Sequence, residues 1–529
     1  MIKRHVLGLM LIAAPIAACG SGGKNNGGNG GNSNPGSGGK ITAGSGGNSN
    51  PGSGGKNTAG SGGNNNGVGG KGGTGGGSDA GAPPSACGSQ PFQPPTGGRS
   101  FYMAPTGSDS AAGTMAAPFK TMKKAASVAK GGDIVYLRDG VYNQSEDFTP
   151  TGSAGNPVVF MAMPGEHPIL DGTGLGLGTS DSVLQLYLPQ HVVVAGLEIR
   201  NSGGRGLQLI DANDVVIRDS TIHDVQSKGL GLNGNNVVAE GNVIYNAVLN
   251  NANSDGSGGW SEAIATQLLQ NGSSSTNITV RGNLVHDVWG ECIDALFANG
   301  MTITGNEVRD CYSVGIYVDT SNSVRIEGNI VRASNQTYQK NGHLMDGILL
   351  GAEAYDMTVP NYGADNVVIA NNVVLGVHNG IGWWDDTGNT KPSNSYVNVQ
   401  VAFNVVWGSQ QNALMFTKVP SGGAAPSGTL LNNILYGSGS TSLNIGDIGA
   451  WTITNNDFPN GKPSSASDAS NVAVDPMLTG TPAASAAPTV FQLGASSPCR
   501  HAGRPVAAVP LDFTCATRGL TNTTIGAFE

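Results

Sequence analysis

No run of basic residues occurs anywhere in the 529 residues, and the net charge is −9. Binding to nucleic acid needs Lys and Arg clustered on one face, so no nucleic-acid partner is expected. The sequence also lacks a Gly-rich phosphate loop, a dinucleotide fingerprint, and any CxxC or HExxH metal motif. The N-terminal apolar run, residues 6–18, is too short to cross a bilayer.

What the chain does have is a repeat. From about His191 to Phe458 it reads as a ladder of segments of the form V-x-I-x-x-N-x-V. Ile278-Thr279-Val280-Arg281-Gly282-Asn283-Leu284-Val285 is a clear copy, and Val324-Arg325-Ile326-Glu327-Gly328-Asn329-Ile330-Val331 is another. The Asn position runs through Leu197, Ser220, Asn242, Asn283, Asn306, Asn329, Asn372, Asn404, Asn433 and Asn456. Five steps are 22 or 23 residues; the others are 41, 43, 32 and 29, so extra residues sit between some copies.

That period predicts stacked units. Within each unit apolar and polar residues alternate, as in a strand and unlike a helix. Val215/Ile217/Ile222, Val237/Ala239/Ile244, Val367/Ile369/Val374 and Val399/Val401/Val406 occupy the same three slots in successive copies. Two or three short strands plus turns use up one ~22-residue circuit, and the next circuit lies ~4.8 Å above it. The predicted fold is all-β, a right-handed parallel β-helix, with the Asn column as an internal amide ladder. A β-sandwich with accidental periodicity is disfavoured by ten copies in register.

Residues 1–18 form a secretory signal, with Lys3 and Arg4 before the apolar run. It ends Ile16-Ala17-Ala18-Cys19-Gly20, which resembles a bacterial lipobox. That resemblance implies cleavage before Cys19 and lipidation of its thiol, giving an exported protein anchored to the outer membrane or cell surface. An ordinary secretory signal with a chance Cys is the alternative. Residues 19–98 are a Gly/Asn/Ser tether in which GNSNPGSGGK occurs twice, at 31–40 and 47–56. Such a segment has almost nothing to bury and reaches about 50 Å as a coil. A monomer is expected.

The folded part is expected as a cap with first coils over 99–178, the β-helix over 179–460 and a second cap over 461–529. The first cap contains a short helix, residues 119–129, with Met122, Ala125, Ala126 and Ala129 on one stripe. Around it stand Ser100-Phe101-Tyr102-Met103, Gly131-Gly132-Asp133, Ile134-Val135-Tyr136-Leu137 and Asp139-Gly140-Val141-Tyr142. This arrangement resembles the N-terminal cap of secreted β-helix proteins, notably polysaccharide lyases of family nine and pectate-lyase-like proteins. Asp475-Pro476 and Ile525-Gly526-Ala527-Phe528-Glu529 resemble their closing segment. A capping helix covers strand edges that an open coil would expose. In an oxidising compartment Cys499 and Cys515 are expected to clip the second cap; Cys87, Cys292 and Cys311 are left unassigned.

Stacking the copies also predicts a site. Leu207, Leu230, Ile264, Ile293, Ile316, Ile348, Ile381 and Leu414 form a second apolar column. Two residues before it stand Arg205, Lys228, Glu262, Glu291, Val314, Asp346, Asn379 and Asn412. Asp294 and Tyr317 follow it by one residue, Asp319 and Trp384 by three. One edge of one sheet thus carries cation, cation, acid, acid, and a further acid two coils on. Insertions at 250–272, 334–346, 351–365 and 387–396 would make groove walls. Trp260, Trp384 and Tyr317 suit stacking on sugar rings, and alternation puts one of Trp383 and Trp384 inside.

Two carbohydrate chemistries fit. The family-nine resemblance implies β-elimination of a uronic-acid polymer by a Lys base with calcium held by acidic residues. Lys228 is then the candidate base, with Glu262, Glu291, Asp294 and Asp255 as candidate calcium ligands and Asp346 and Asp319 along the substrate path. A carboxylate beside Lys228 raises its pKa, whereas a base needs it lowered; Arg205 or a metal would have to reverse that. The clustered Asp residues of a close family-nine enzyme are missing. The second chemistry is glycoside hydrolysis by Glu262 and Glu291, about 5 Å apart on adjacent coils. The Asn-Thr-Asp, Gly-His-Gly and Arg-x-Lys patterns of polygalacturonases and the Asp-Pro-His of alginate epimerases are absent. A non-catalytic glycan-binding rod, its acids a solvated face, is the third reading. His223-Asp224 and His286-Asp287 are expected to be turn residues.

Overall fold

The computed structural model describes residues 87, 92–252, 261–353, 362–384, 393–420, 423–437 and 441–529. The named strand pairs are all parallel, and each coil contributes to three faces. The first face holds Ser182–Tyr187, Glu262–Ala265, Glu291–Leu296, Val314–Asp319, Asp346–Gly351, Asn379–Trp383 and Asn412–Phe416. The second holds Ile134–Leu137, Val158–Ala162, Gln190–Ala195, Ser275–Arg281, Ala298–Thr304 and Asn322–Glu327. The third runs from Gly140–Tyr142 to Ile434–Gly437. Arg205–Arg218 and Leu230–Glu240 bend around the corner and belong to both the first and second faces, with a register shift between Leu209 and Ala212.

The inward column predicted for the first face is in register: Leu207 pairs with Leu230, Leu230 with Ile264, Ile264 with Ile293, and Ile293 with Ile316. These residues and Ile348, Ile381 and Leu414 are all 0% exposed. Burial of such stacked side chains is worth about 1.5–3 kcal/mol each. The Asn column is the internal amide ladder. From Asn242 to Asn456, each Oδ1 after the first accepts from both the backbone N–H and Nδ2 of the Asn one coil earlier, at 2.9–3.0 Å. Each Nδ2 also donates to a carbonyl at the preceding bend, as Asn306 does to Val280. The residue before each rung has positive φ, which is why Gly282, Gly305, Gly328, Asn371 and Asn432 stand there. Asn471 extends the ladder by one rung beyond the predicted series.

Both ends are covered. The helix Met122–Val128, shorter than predicted, is capped by Thr121, whose side chain accepts from the Lys124 N–H, and it buries Met122 and Ala125. Phe92, inside the expected tether, packs outside the second face near Ile134, Val159 and Val193, with the Arg218 guanidinium 4.9 Å from its ring centre. The C-terminal segment folds back along the outside: Phe491, Leu493 and Phe528 join Val373, Val405 and Ile434, while Val509 joins Ala402 and Phe403.

The expected Cys499–Cys515 clip is wrong. Cys515 bonds Cys87 across 428 residues of sequence, and Cys499 is free and buried with its Sγ 3.4 Å from Asp457 Oδ2. Cys515 sits exposed on the folded-back segment, while Cys499 faces inward under it. Cys292 and Cys311, left unassigned by sequence, form the second disulfide.

Candidate active site

The charged residues sit at the corner where the third face turns into the first. Small residues precede each inward Leu or Ile there, among them Gly206, Gly229, Ala263, Cys292 and Gly315. A Cβ on Gly206 would lie 2.4 Å from a methyl of Ile222 on the third face, so the backbone can turn this tightly only without a larger side chain. The turn leaves the residue before each small one pointing outward. Glu262 and Glu291 are direct partners in register, as are Val314 and Asp346, and Asn379 and Asn412. One slot further along, Asp294 pairs with Tyr317, and Leu296 with Asp319.

The structure therefore brings the predicted residues together, leaving Arg205, Glu262, Glu291 and Asp346 half-buried and burying four others. Lys228 is 2% exposed, Asp294 2%, Asp319 1% and Tyr317 4%. Lys228 Nζ lies 3.0 Å from Glu262 Oε2, an ion pair without an aligned hydrogen bond. Tyr317, expected as an exposed stacking ring, packs in a small cluster with Val314, Leu349 and Trp384. Trp383 is fully buried and Trp384 only partly, as alternation predicted. Asp346 Oδ1 accepts from the backbone N–H and Nδ2 of Asn379, and Asn412 Nδ2 donates to Asn379 Oδ1, so an amide run continues the column. Asp255, Trp260 and Cys19 lie outside the described residues.

Two participants escaped the sequence reading. Glu353 is within 3.4 Å of the Tyr317 hydroxyl, and its backbone N–H donates to Asp319 Oδ1. Lys340, from the insertion after Arg332, reaches the gap left by Val314, with Nζ 3.4 Å from Ser313 Oγ. Both lie on insertions, where the repeat carries no register. The only signal available was their type: an acid and a cation on the loops that border the charged column.

The electrostatics follow from crowding and burial. Burial pushes the Glu291 carboxyl well above its ordinary value, and Glu262, Glu353 and Asp319 push it further, against Lys340. Asp294 is raised by burial and then by Glu291, Asp319 and Glu262, with Lys228 opposing. Tyr317 is raised by burial and the same acids. Asp346 is raised by burial despite its hydrogen bonds to Asn379. Burial lowers Arg205, with Glu262 and Asp181 resisting. Burial and mutual repulsion thus favour the neutral forms of Glu291, Asp294 and Asp346.

The donor set is all oxygen, and Asp294 Oδ1 is buried without a hydrogen-bond partner, which suits a hard cation in kind. Among the described residues, however, no three His, Cys, Asp or Glu side chains converge to hold an ion. The carboxyls as placed do not make a calcium site, so no step is derived through calcium. The His pairs are not turn residues as expected: His223-Asp224 and His286-Asp287 lie within the third-face strands Thr221–Val225 and Leu284–Val288, where each Asp has positive φ and its Oδ2 lies 2.7 Å from its His Nδ1. His223, Tyr245 and His286 stack edge outward along the third face, ring centres 4.7 and 5.2 Å apart.

Residues 101–281 match the family model described as Pel9A-like, right-handed β-helix region. Residues 261–397 match a second, described as right-handed β-helix region. The chain resembles the Pel9A-like right-handed β-helix proteins. It is 32% identical over 153 residues to the pectate lyase PEL9 of Emericella nidulans, covering 26% of this chain and 37% of that protein. It is 26% identical over 102 residues to the uncharacterized protein YwoF of Bacillus subtilis, covering 19% of this chain and 22% of that one. The chain thus spans well under half the length of the curated relatives it matches. Among solved structures, XylC with xylose superposes with a TM-score of 0.53 at 13% identity, covering 81% of this chain and 98% of that one. That likeness shows the fold, a right-handed parallel β-helix.

Proposed function

We propose that this Pel9A-like β-helix cleaves a uronic-acid-containing polysaccharide by β-elimination on its first face. The observation that carries the reading is the column itself: Lys228, Glu262 and Glu291 in succession along one edge and Asp346 two coils beyond Glu291, with Asp294, Tyr317 and Asp319 beside them. The similarity to a pectate lyase supports the same class. β-Elimination needs a base for the proton beside the uronate carboxylate and a partner that offsets that carboxylate. Glu291, half-buried and with its carboxyl held well above its ordinary value by burial and the neighbouring acids, serves the second need by donating a hydrogen bond, where an ionised acid would repel. The base must touch substrate, so we assign it to Lys340, which is half-buried, and not to Lys228. Lys228, buried against Glu262, holds the acid pair in place, with Arg205 nearby.

A second reading has its own support. Glu262 is paired with Lys228 while Glu291 is driven towards its neutral form, and the two are one rung, about 5 Å, apart. Two carboxyls at that separation, one of them with a raised pKa, suit retaining glycoside hydrolysis. One assay separates the two. The protein is incubated with pectate, alginate and glycosaminoglycans, with and without calcium and chelator. Absorbance near 235 nm rising in wild type and lost in Lys340→Ala supports elimination. New reducing ends without that absorbance replace it with hydrolysis, and retention without cleavage replaces both with a binding rod. Insensitivity to chelator is expected; strict calcium dependence would overturn the metal-free assignment.

We also propose export and anchoring through a lipidated Cys19. Two disulfides among the described residues support an oxidising compartment. Cys19→Ala should release the protein from the membrane fraction; unchanged membrane association would rule the anchor out.

A further inference from the structure

The first face carries a cavity near the N-terminal cap. It has a volume of about 550 Å³ and lies between the cap helix and the first two rungs. Lys123 and Ser127 come from the helix, Asp147 and Thr149 from the rung beneath it, and Gln185 and Tyr187 from the next. Phe148 is buried at its base, and Tyr187 is 39% exposed, an uncommon state for an aromatic ring on this face.

Three features give this cavity a ligand class. The exposed Tyr187 ring offers an apolar, planar wall. Its hydroxyl is 3.3 Å from Gln270 Oε1, and Gln270 is itself held by Asp211 through N–H and Nε2 at 2.9 and 3.1 Å. The ring is therefore fixed by the segment that follows the Glu262 strand. Polar groups then surround it: Lys123 can take a carboxylate, and Ser127, Thr149, Gln185 and Asp147 can take hydroxyls. An apolar wall with convergent polar groups is the composition of a sugar site.

Its position gives the source of that sugar. Asp147 pairs with Gln185, Gln185 with Gln208, Gln208 with Gly231, Gly231 with Ala265, and Ala265 with Asp294. The cavity and the acid column thus share one outward row, and Gln185 lies four rungs, about 19 Å, from Asp294. We propose that this cavity is a distal carbohydrate-binding site for a uronic-acid unit of the same polymer, several sugars from the bond that is cut. The inference rests on the reading that the first face handles an acidic polysaccharide.

The test is affinity electrophoresis of the full chain through gels containing pectate or alginate, which reads binding without cleavage. Wild type should be retarded by at least one of them. Tyr187→Ala and Lys123→Ala should each weaken the apparent binding constant about tenfold, equivalent to about 1.4 kcal/mol, with Tyr187→Phe close to wild type. Thermal melts that match wild type exclude misfolding, since both residues are exposed. Unchanged retardation in both Ala variants overturns the site, whether or not the protein cleaves. Retardation lost in these variants of a protein that cleaves nothing overturns the cleavage reading and leaves the site standing. No retardation of wild type overturns the site, and the absorbance assay then decides cleavage by itself.

Discussion

Lys228 shows how far a side chain's neighbours decide its role. A lysine beside a carboxylate on an open ridge could reach a substrate; this one is 2% exposed and pressed against Glu262. Removing it leaves the Glu262 carboxyl without its ion-pair partner, facing Glu291. Lys228→Ala should therefore destabilise the protein by about 3–5 kcal/mol in denaturant unfolding, and Lys228→Ala/Glu262→Gln should recover part of that loss. A stable, inactive Lys228→Ala would instead restore it as the base. Asp457 gives a pH test away from the site. It is fully buried, and burial raises its carboxyl from 3.8 to about 6, against hydrogen bonds from the Val474 N–H and Cys499. The folded protein then binds the proton more tightly than the unfolded chain. Stability from this group is full below the unfolded pKa and falls as pH rises from about 4 to about 6, by at most about 3 kcal/mol. Asp457→Asn should reduce the drop in unfolding midpoint between pH 4 and pH 7; an identical drop in both proteins would show that Asp457 is not its source.

At the scale of the coil, the Asn ladder is a chain of interdependent bonds. The Asn306 side chain accepts two hydrogen bonds from Asn283 and donates two, to Val280 and to Asn329, and the three Asn residues are buried. Asn306→Ala strips partners from both neighbouring rungs, at about 1–3 kcal/mol for each buried group left unpaired. The expected result is a loss of at least about 3 kcal/mol, with faster amide exchange at Asn283 and Asn329 than at Asn433. Uniform exchange along the ladder would show that the coils do not fail locally. The ladder was legible because it recurs at the period of the repeat. Lys340 and Glu353 were not, because an insertion has no counterpart in the next coil to set its register.

Across the whole molecule the two ends are joined. The Cys87–Cys515 bond ties the residue at the edge of the Gly-rich segment to the folded-back C-terminal tail. Peptide mapping without reductant should give Cys87–Cys515 and Cys292–Cys311 pairs with Cys499 as the thiol; a Cys499–Cys515 peptide would overturn the assignment. The disulfides are expected to stabilise the fold by about 2–4 kcal/mol each, so reduction should lower the unfolding midpoint while the Asn ladder holds the coils.

The residue pattern alone determined the repeat, the inward columns, the amide ladder and the gathering of Lys228, Glu262 and Glu291 on one edge. Stacking copies of one length places like over like, and alternation separates inside from outside. Only the tertiary structure decided that Lys228 is buried, that Lys340 and Glu353 join the acids, and that Cys515 pairs with Cys87. Those facts depend on how insertions and tails lie over the solenoid, and such contacts link positions that no period relates.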